Sequence, residues 1–214
     1  MANLVLLRHL LSQWNKENKF SGWTDLPLAE EGILAAPQTA QKIPFKPEVV
    51  FTSPLSRNKT TAWLVLDEMK LDSIFLEPGE RPADSKDVPV YVTKALNERS
   101  YGLLEGVNKD EAKQKFGEEK IFAWRRSWDV APPEGESLED VYHRVLPFFQ
   151  EYVEPEILNE KNILIVGSHN SLRAVAKYLE KIKEIEIDKY EIPFGGMIVY
   201  KLDRELKVLS KEVI

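Results

Sequence analysis

Leu4-Val5-Leu6-Leu7-Arg8-His9 opens the chain with four apolar residues in a row, followed by two basic ones. A strand with one face in water alternates apolar and polar residues, whereas an unbroken run is expected of a strand covered on both faces, as in parallel sheets. Val49-Val50-Phe51-Thr52-Ser53 and Asn162-Ile163-Leu164-Ile165-Val166 read the same way, and Met197 to Leu202 gives a fourth strand. Helical patterning follows each of the first three. A polar, aromatic loop from Ser12 to Asp25 leads into a helical stretch near Pro27, which Pro37 breaks or kinks. Pro54 to Met69 carries Ala62, Trp63, Val65, Leu66 and Met69 on one helical face, and Ser171 to Leu179 forms the helix after the third strand.

The remaining segments fit around that alternation. Asp72 to Asp87, with Pro78, Gly79 and Pro82, reads as a loop or insertion before the strand-like Val88-Pro89-Val90-Tyr91-Val92. Asn108 with Glu111, and Ser137 with Asp140, mark helix starts. Strands alternating with helices predict an α/β fold: a three-layer sandwich with a mostly parallel central sheet and helices on both faces. The 214 residues make one domain, with a helical cap-like insertion expected around residues 78–135.

Composition narrows the function. With 43% hydrophobic and 30% charged residues the chain reads as an ordinary soluble protein. A net charge of −6 disfavours nucleic-acid and anionic-membrane partners, though a local cluster of cations can still hold an anionic small molecule. The absence of cysteine excludes disulfides and thiolate chemistry and suits the cytoplasm. The apolar run Leu4 to Leu11 is interrupted by Arg8 and His9 and lacks a basic leader, so it is a poor signal peptide and too short to span a membrane. The sequence leaves a homo-oligomer open.

In open α/β sheets, ligands sit beyond the carboxyl ends of the strands. That rule gathers Arg8-His9, Ser53 to Arg57 and Ser168-His169-Asn170 around one crevice. A neutral imidazole attacks phosphorus, and the guanidinium fork binds phosphate oxygens in pairs, so His9 beside Arg8 points to phosphoryl chemistry. Arg57 falls at a helix start, where backbone N–H groups add to its pull on an anion. Asn97-Glu98-Arg99-Ser100-Tyr101-Gly102 suits either a turn or an acid–base site. Lys109 and Arg125-Arg126 read as a solvated helix face or a nucleic-acid patch, and the acidic whole argues against the patch. His143 lies in an amphipathic helix and is read as structural. No metal-ligand spacing, glycine-rich phosphate loop or nucleophile-elbow serine is found.

Several motifs resemble the histidine phosphatase superfamily, specifically its phosphoglycerate mutases that depend on 2,3-bisphosphoglycerate. They are Leu6-Leu7-Arg8-His9, Ser12-x-Trp14-Asn15, Phe20-Ser21-Gly22-Trp23-Thr24-Asp25, Leu96-Asn97-Glu98-Arg99 with Tyr101-Gly102, Trp124-Arg125-Arg126-Ser127, Gly135-Glu136-Ser137-Leu138, Asn170-Ser171-Leu172-Arg173 and the stretch from Ile192-Pro193 to Tyr200. The resemblance implies that His9 is phosphorylated, with 2,3-bisphosphoglycerate as the priming donor and no metal, and that Glu98 is the general acid and base. Arg8, Arg57 and Asn15 would hold the transferring group. Ser21, Gly22, Arg99, Tyr101, Lys109, Arg125, Arg126 and Asn170 would bind substrate, a small phosphorylated three-carbon acid.

The sequence departs from the family's pattern beside both histidine motifs. Ser168-His169 stands where the family has histidine then glycine, and His9 is followed by Leu10-Leu11 in place of glycine and glutamate. A left-handed backbone at Leu10 would cost about 1–2 kcal/mol, and Ser168 in the histidine's slot predicts a transfer step weakened by ~10²–10³. The leading expectation is interconversion of 2- and 3-phosphoglycerate in glycolysis and gluconeogenesis through phospho-His9, impaired by Leu10 and Ser168. A phosphomonoesterase of the same superfamily and a phosphate-binding homologue with impaired catalysis remain open.

Overall fold

The apolar N-terminal run forms β1 (Ala2–Arg8), in which Leu4 and Leu6 turn to one face of a sheet and Val5 and Leu7 to the other. All four are fully buried. The computed structural model describes residues 1–82 and 86–214. After β1 come α1 (Gln13–Lys16), α2 (Glu30–Leu34), α3 (Ala36–Gln41), β2 (Val49–Thr52), α4 (Ser56–Glu68), β3 (Ser73–Leu76) and β4 (Val88–Val92). The second half holds α5 (Lys109–Phe116), α6 (Glu118–Arg126), α7 (Leu138–Phe148), α8 (Glu154–Leu158), β5 (Asn162–Gly167), α9 (His169–Glu180), β6 (Met197–Leu202) and β7 (Val208–Val213).

The strands form one seven-stranded sheet in the order β3-β4-β2-β5-β1-β6-β7. The first five are mutually parallel, β6 runs antiparallel to β1, and β7 antiparallel to β6. On one face Leu4, Leu6, Phe51, Ile163 and Ile165 pack against Val141, Val145, Ile157, Val175 and Leu179 of α7, α8 and α9. On the other, Val5, Leu7, Val50, Leu164 and Val166 meet Ala40 of α3 and Ala62, Val65 and Leu66 of α4. This is the expected sandwich of helices around a mostly parallel sheet. Burying β1's four side chains contributes roughly 6–12 kcal/mol against ~1 for a typical hydrogen bond, so the core, not the site, fixes where Arg8 and His9 stand.

The chain passes from β1 to β2 across a gap that β5 fills later. The carboxyl ends of β1, β5 and β2 therefore lie side by side where the order reverses, the expected place for a ligand. After β4 the backbone leaves the sheet, and residues 93–136 form two 3-10 turns, α5 and α6. Leu104, Ala112, Ile121 and Trp124 of this excursion close a small core with Phe20. The excursion begins at residue 93, because 88–92, expected within it, form a strand of the sheet.

Several local expectations are corrected. The stretch 72–87 is not wholly loop: Ser73–Leu76 pairs in parallel with β4 at the sheet edge, while residues 83–85 lie outside the described residues. Trp63 is half-exposed and does not join the buried face of α4. The helical stretch does break near Pro37, as read: α2 ends at Leu34 and Pro37 sits in the first turn of α3, where its missing N–H costs nothing. The Asn108 side chain caps α5, and Ser137 with Asp140 closes a capping box at α7, both as read. Helix α9 begins at His169, two residues earlier than expected.

Candidate active site

His9 follows β1 directly, its N–H bonded to Gly167 O at 3.0 Å, and its ring is 2% exposed. Nδ1 lies 2.7 Å from Leu10 O and donates to it, which leaves the Nε2 lone pair bare. Burial, reinforced by Arg57 and Arg8, holds the ring well below the usual histidine range, so it is neutral at pH 7.

Leu10 is not among the residues with positive φ, so the anticipated strain is absent. Its backbone N–H donates to Thr61 Oγ1 at 3.1 Å, and its side chain packs with Leu28 and Ala36. Gly195 makes the room: a Cβ there would stand 3.1 Å from Leu10 Cδ2.

Cations surround His9. Arg8 donates to Ile192 O at 2.6 Å, and its guanidinium lies 3.7 Å from the centre of the Phe194 ring. Burial lowers Arg8 to about 10, which leaves it charged at neutral pH. Arg57, in the first turn of α4, donates to Thr24 O at 3.0 Å and Gly22 O at 2.7 Å. Gly22 has φ +51°, and a Cβ there would overlap Glu105, so only glycine lets that carbonyl face Arg57. Asn15 accepts from Ser12 Oγ at 2.6 Å, which leaves its NH₂ group for the pocket.

Glu98 is the buried carboxylate of the pocket. Its Oε1 accepts from Arg99 N at 2.8 Å, Asn170 N at 3.1 Å and Asn170 Nδ2 at 2.9 Å. Burial alone would raise Glu98, but His169, these N–H donors and Arg57 outweigh it and hold the carboxyl at about 2. The loop beneath is stapled by Arg144, which donates to Ala95 O, Asn97 O and Glu98 O, and by Trp23 Nε1, 2.6 Å from Glu98 O. Arg144 itself pairs with Glu136 at 2.8 Å.

The excursion supplies the opposite wall, with Tyr101, Lys109, Arg125 and Arg126. Burial, with Arg125 and Arg8 nearby, lowers Lys109 to about 8, and burial also lowers Arg125. Lys19, Phe20, Glu191 and Phe194 complete the pocket.

Of the two residues in question beside Asn170, His169 is the one that lines the pocket with His9. Its Nε2 lies 3.0 Å from Glu191 Oε2, yet makes no aligned hydrogen bond among the described residues. Burial holds the ring at about 4 against the pull of Glu191, with Arg8 and Arg173 adding to the lowering. Ser168 is fully buried behind the wall, where its Oγ accepts from Asn58 Nδ2 at 3.1 Å. Arg99 also lies outside the lining: fully buried, it donates to Arg125 O and sits 3.4 Å from Asn170 Oδ1, tying the excursion to α9. All the other expected site residues line one pocket.

A bare imidazole amid buried arginines, at the carboxyl ends of a parallel sheet, defines an anion-handling α/β enzyme of the histidine phosphatase class. The sequence model of the histidine phosphatase superfamily (branch 1) matches residues 4–212. A 2,3-bisphosphoglycerate-dependent phosphoglycerate mutase of Methanococcus vannielii is 40% identical over 96% of this chain and 92% of its own length. One of Parvibaculum lavamentivorans is 40% identical over 99% and 95%. The chain belongs to the histidine phosphatase superfamily and, within it, to the family of 2,3-bisphosphoglycerate-dependent phosphoglycerate mutases. Among solved structures, a mycobacterial glucosyl-3-phosphoglycerate phosphatase complex shares the fold with TM-score 0.80 at 20% identity, covering all of this chain and 97% of its own. An Escherichia coli putative alpha-ribazole-5'-P phosphatase does so with TM-score 0.76 at 24% identity, over 100% and 95%.

Lys19, Glu105, Arg144, Glu191 and Phe194 were not singled out from sequence. Glu105 accepts from the N–H groups of Trp23, Thr24 and Tyr101 and so fixes this wall of the pocket. Phe194 had a usable signal, since it lies inside the matched stretch that begins at Ile192-Pro193; the others had none.

Proposed function

We propose that the chain interconverts 2-phosphoglycerate and 3-phosphoglycerate through phospho-His9, a step of glycolysis and gluconeogenesis carried out in the cytoplasm. The observation that carries this reading is a pair of buried donors without hydrogen-bond partners among the described residues, Arg8 Nε and Ser21 Oγ, both on the pocket that holds the bare His9 Nε2. Buried polar groups of this kind await a ligand with acceptors, and a phosphate offers several. The same donors fit 2,3-bisphosphoglycerate, which supplies the phosphoryl group that primes His9.

From phospho-His9, the substrate hydroxyl attacks phosphorus, the P–N bond breaks as the new P–O bond forms, and Glu98 takes the hydroxyl proton. In the return step Nε2 attacks the other phosphoryl group, and Glu98 gives its proton to the departing oxygen. A carboxylate at about 2 is ionised and ready for the first step and releases its proton readily in the second. Arg8, Arg57, Asn15 and His169 hold the group in flight. Ser21, Gly22, Tyr101, Lys109, Arg125 and Arg126 hold the carboxylate and the resident phosphate.

Incubation with 2,3-bisphosphoglycerate is expected to add one phosphoryl group by intact mass, and His9→Ala to abolish it. An unlabelled wild type would sink the mechanism and leave a binding role. Release of free phosphate faster than isomer exchange would favour the phosphomonoesterase.

A further inference from the structure

Glu191 is an acidic side chain in a pocket otherwise built to attract acids, and no step above uses it. It lies between β6 and the 3-10 turn that follows α9, with half of its side chain exposed. One carboxylate oxygen pairs with Arg126, and the other is 3.0 Å from His169 Nε2. Apart from this contact His169 sits among repelling charges. It occupies the first turn of α9, at the positive end of the helix, and Arg8 and Arg173 face it, with Glu98 as a second carboxylate that acts on the ring.

A neutral imidazole carries its proton on one nitrogen or the other, and the neighbouring groups decide which. A carboxylate oxygen 3.0 Å from Nε2 favours the proton there. Because the approach is off the N–H axis, that hydrogen remains unclaimed among the described residues. On the mutase reading, we propose that Glu191 is the positioning residue for His169: it holds the ring's proton on Nε2 and so makes His169 a hydrogen-bond donor to the transferring phosphoryl group. The pairing of its other carboxylate oxygen with Arg126 restrains Glu191. Glu191 thereby supports a histidine set in the first helical turn rather than ahead of it.

Two measurements on the full chain test this. In the free protein, ¹⁵N NMR of the ring should show His169 protonated on Nε2 in the wild type and shifted toward Nδ1 protonation in Glu191→Ala; an unchanged tautomer overturns the proposal. In single-turnover priming by 2,3-bisphosphoglycerate, Glu191→Ala should slow phosphorylation of His9 at least tenfold, while in a His169→Ala background the same change should cost less than threefold. Equal losses in both backgrounds would show that Glu191 acts through Arg126 alone and overturn it. Faster priming in Glu191→Ala, the sign of a carboxylate that competes with substrate, would overturn it too. If the wild type takes no phosphoryl group, the mutase reading fails, and the tautomer measurement still decides the role of Glu191.

Discussion

Leu10 shows how one side chain turns a family's glycine position into packing. It has an ordinary backbone and a side chain 1% exposed against Leu28 and Ala36. Leu10→Gly should therefore destabilise the fold by on the order of 3 kcal/mol in urea unfolding, through lost burial and a cavity. Relief of strain would have given the opposite sign, so a stabilised variant would contradict the packing observed here. His9, Arg8, Arg57 and Glu98 were legible because they follow strands or fall in dense motifs. Glu191 and Arg144 were not, since one is a lone acid in irregular chain and the other sits inside an amphipathic helix that reads as core and solvent alone.

At the scale of elements, α9 decides how the second histidine is used. The helix starts at His169, with Ser168 at its cap position turned toward Asn58 in a fully buried site. A histidine at 168 must enter that closed space and removes one of Asn58's hydrogen bonds, leaving the one to Ser53 Oγ. Ser168→His with His169→Gly should then lower both stability, by about 1–3 kcal/mol, and turnover; a marked rise in turnover would show that the side chain at 168 can reach the pocket after all. Strands β1, β2 and β5 could be read from sequence because both their faces are buried and their apolar runs unbroken. β3 and β7 could not: β3 is a short edge strand in a stretch rich in turn residues, and β7 exposes Leu209 and Val213.

Across the whole molecule, the buried histidines tie stability to pH. Below pH 6.5 the unfolded chain takes up a proton that folded His169, held at about 4, refuses, so stability falls as pH drops through that window. The loss from this residue is about 2 kcal/mol between pH 6.5 and 5, and His9 acts in the same direction. Glu98, held at about 2, contributes stability that is full above its ordinary 4.5 and fades as the pH falls toward 2. Urea unfolding at pH 7 and pH 5 should show a smaller difference for His169→Asn than for the wild type; an identical difference would mean that the ring titrates freely. The excursion over residues 93–136 has one more consequence. β1 and the start of α4 carry Arg8, His9 and Arg57, while Tyr101, Lys109, Arg125 and Arg126 stand on a lobe whose interior is mostly its own. Glu98 stands on the same excursion and accepts from Asn170 of α9, so the pocket closes only where a part with its own small core meets the ends of the strands, and a shift of that part would move the carboxylate and the cationic wall together.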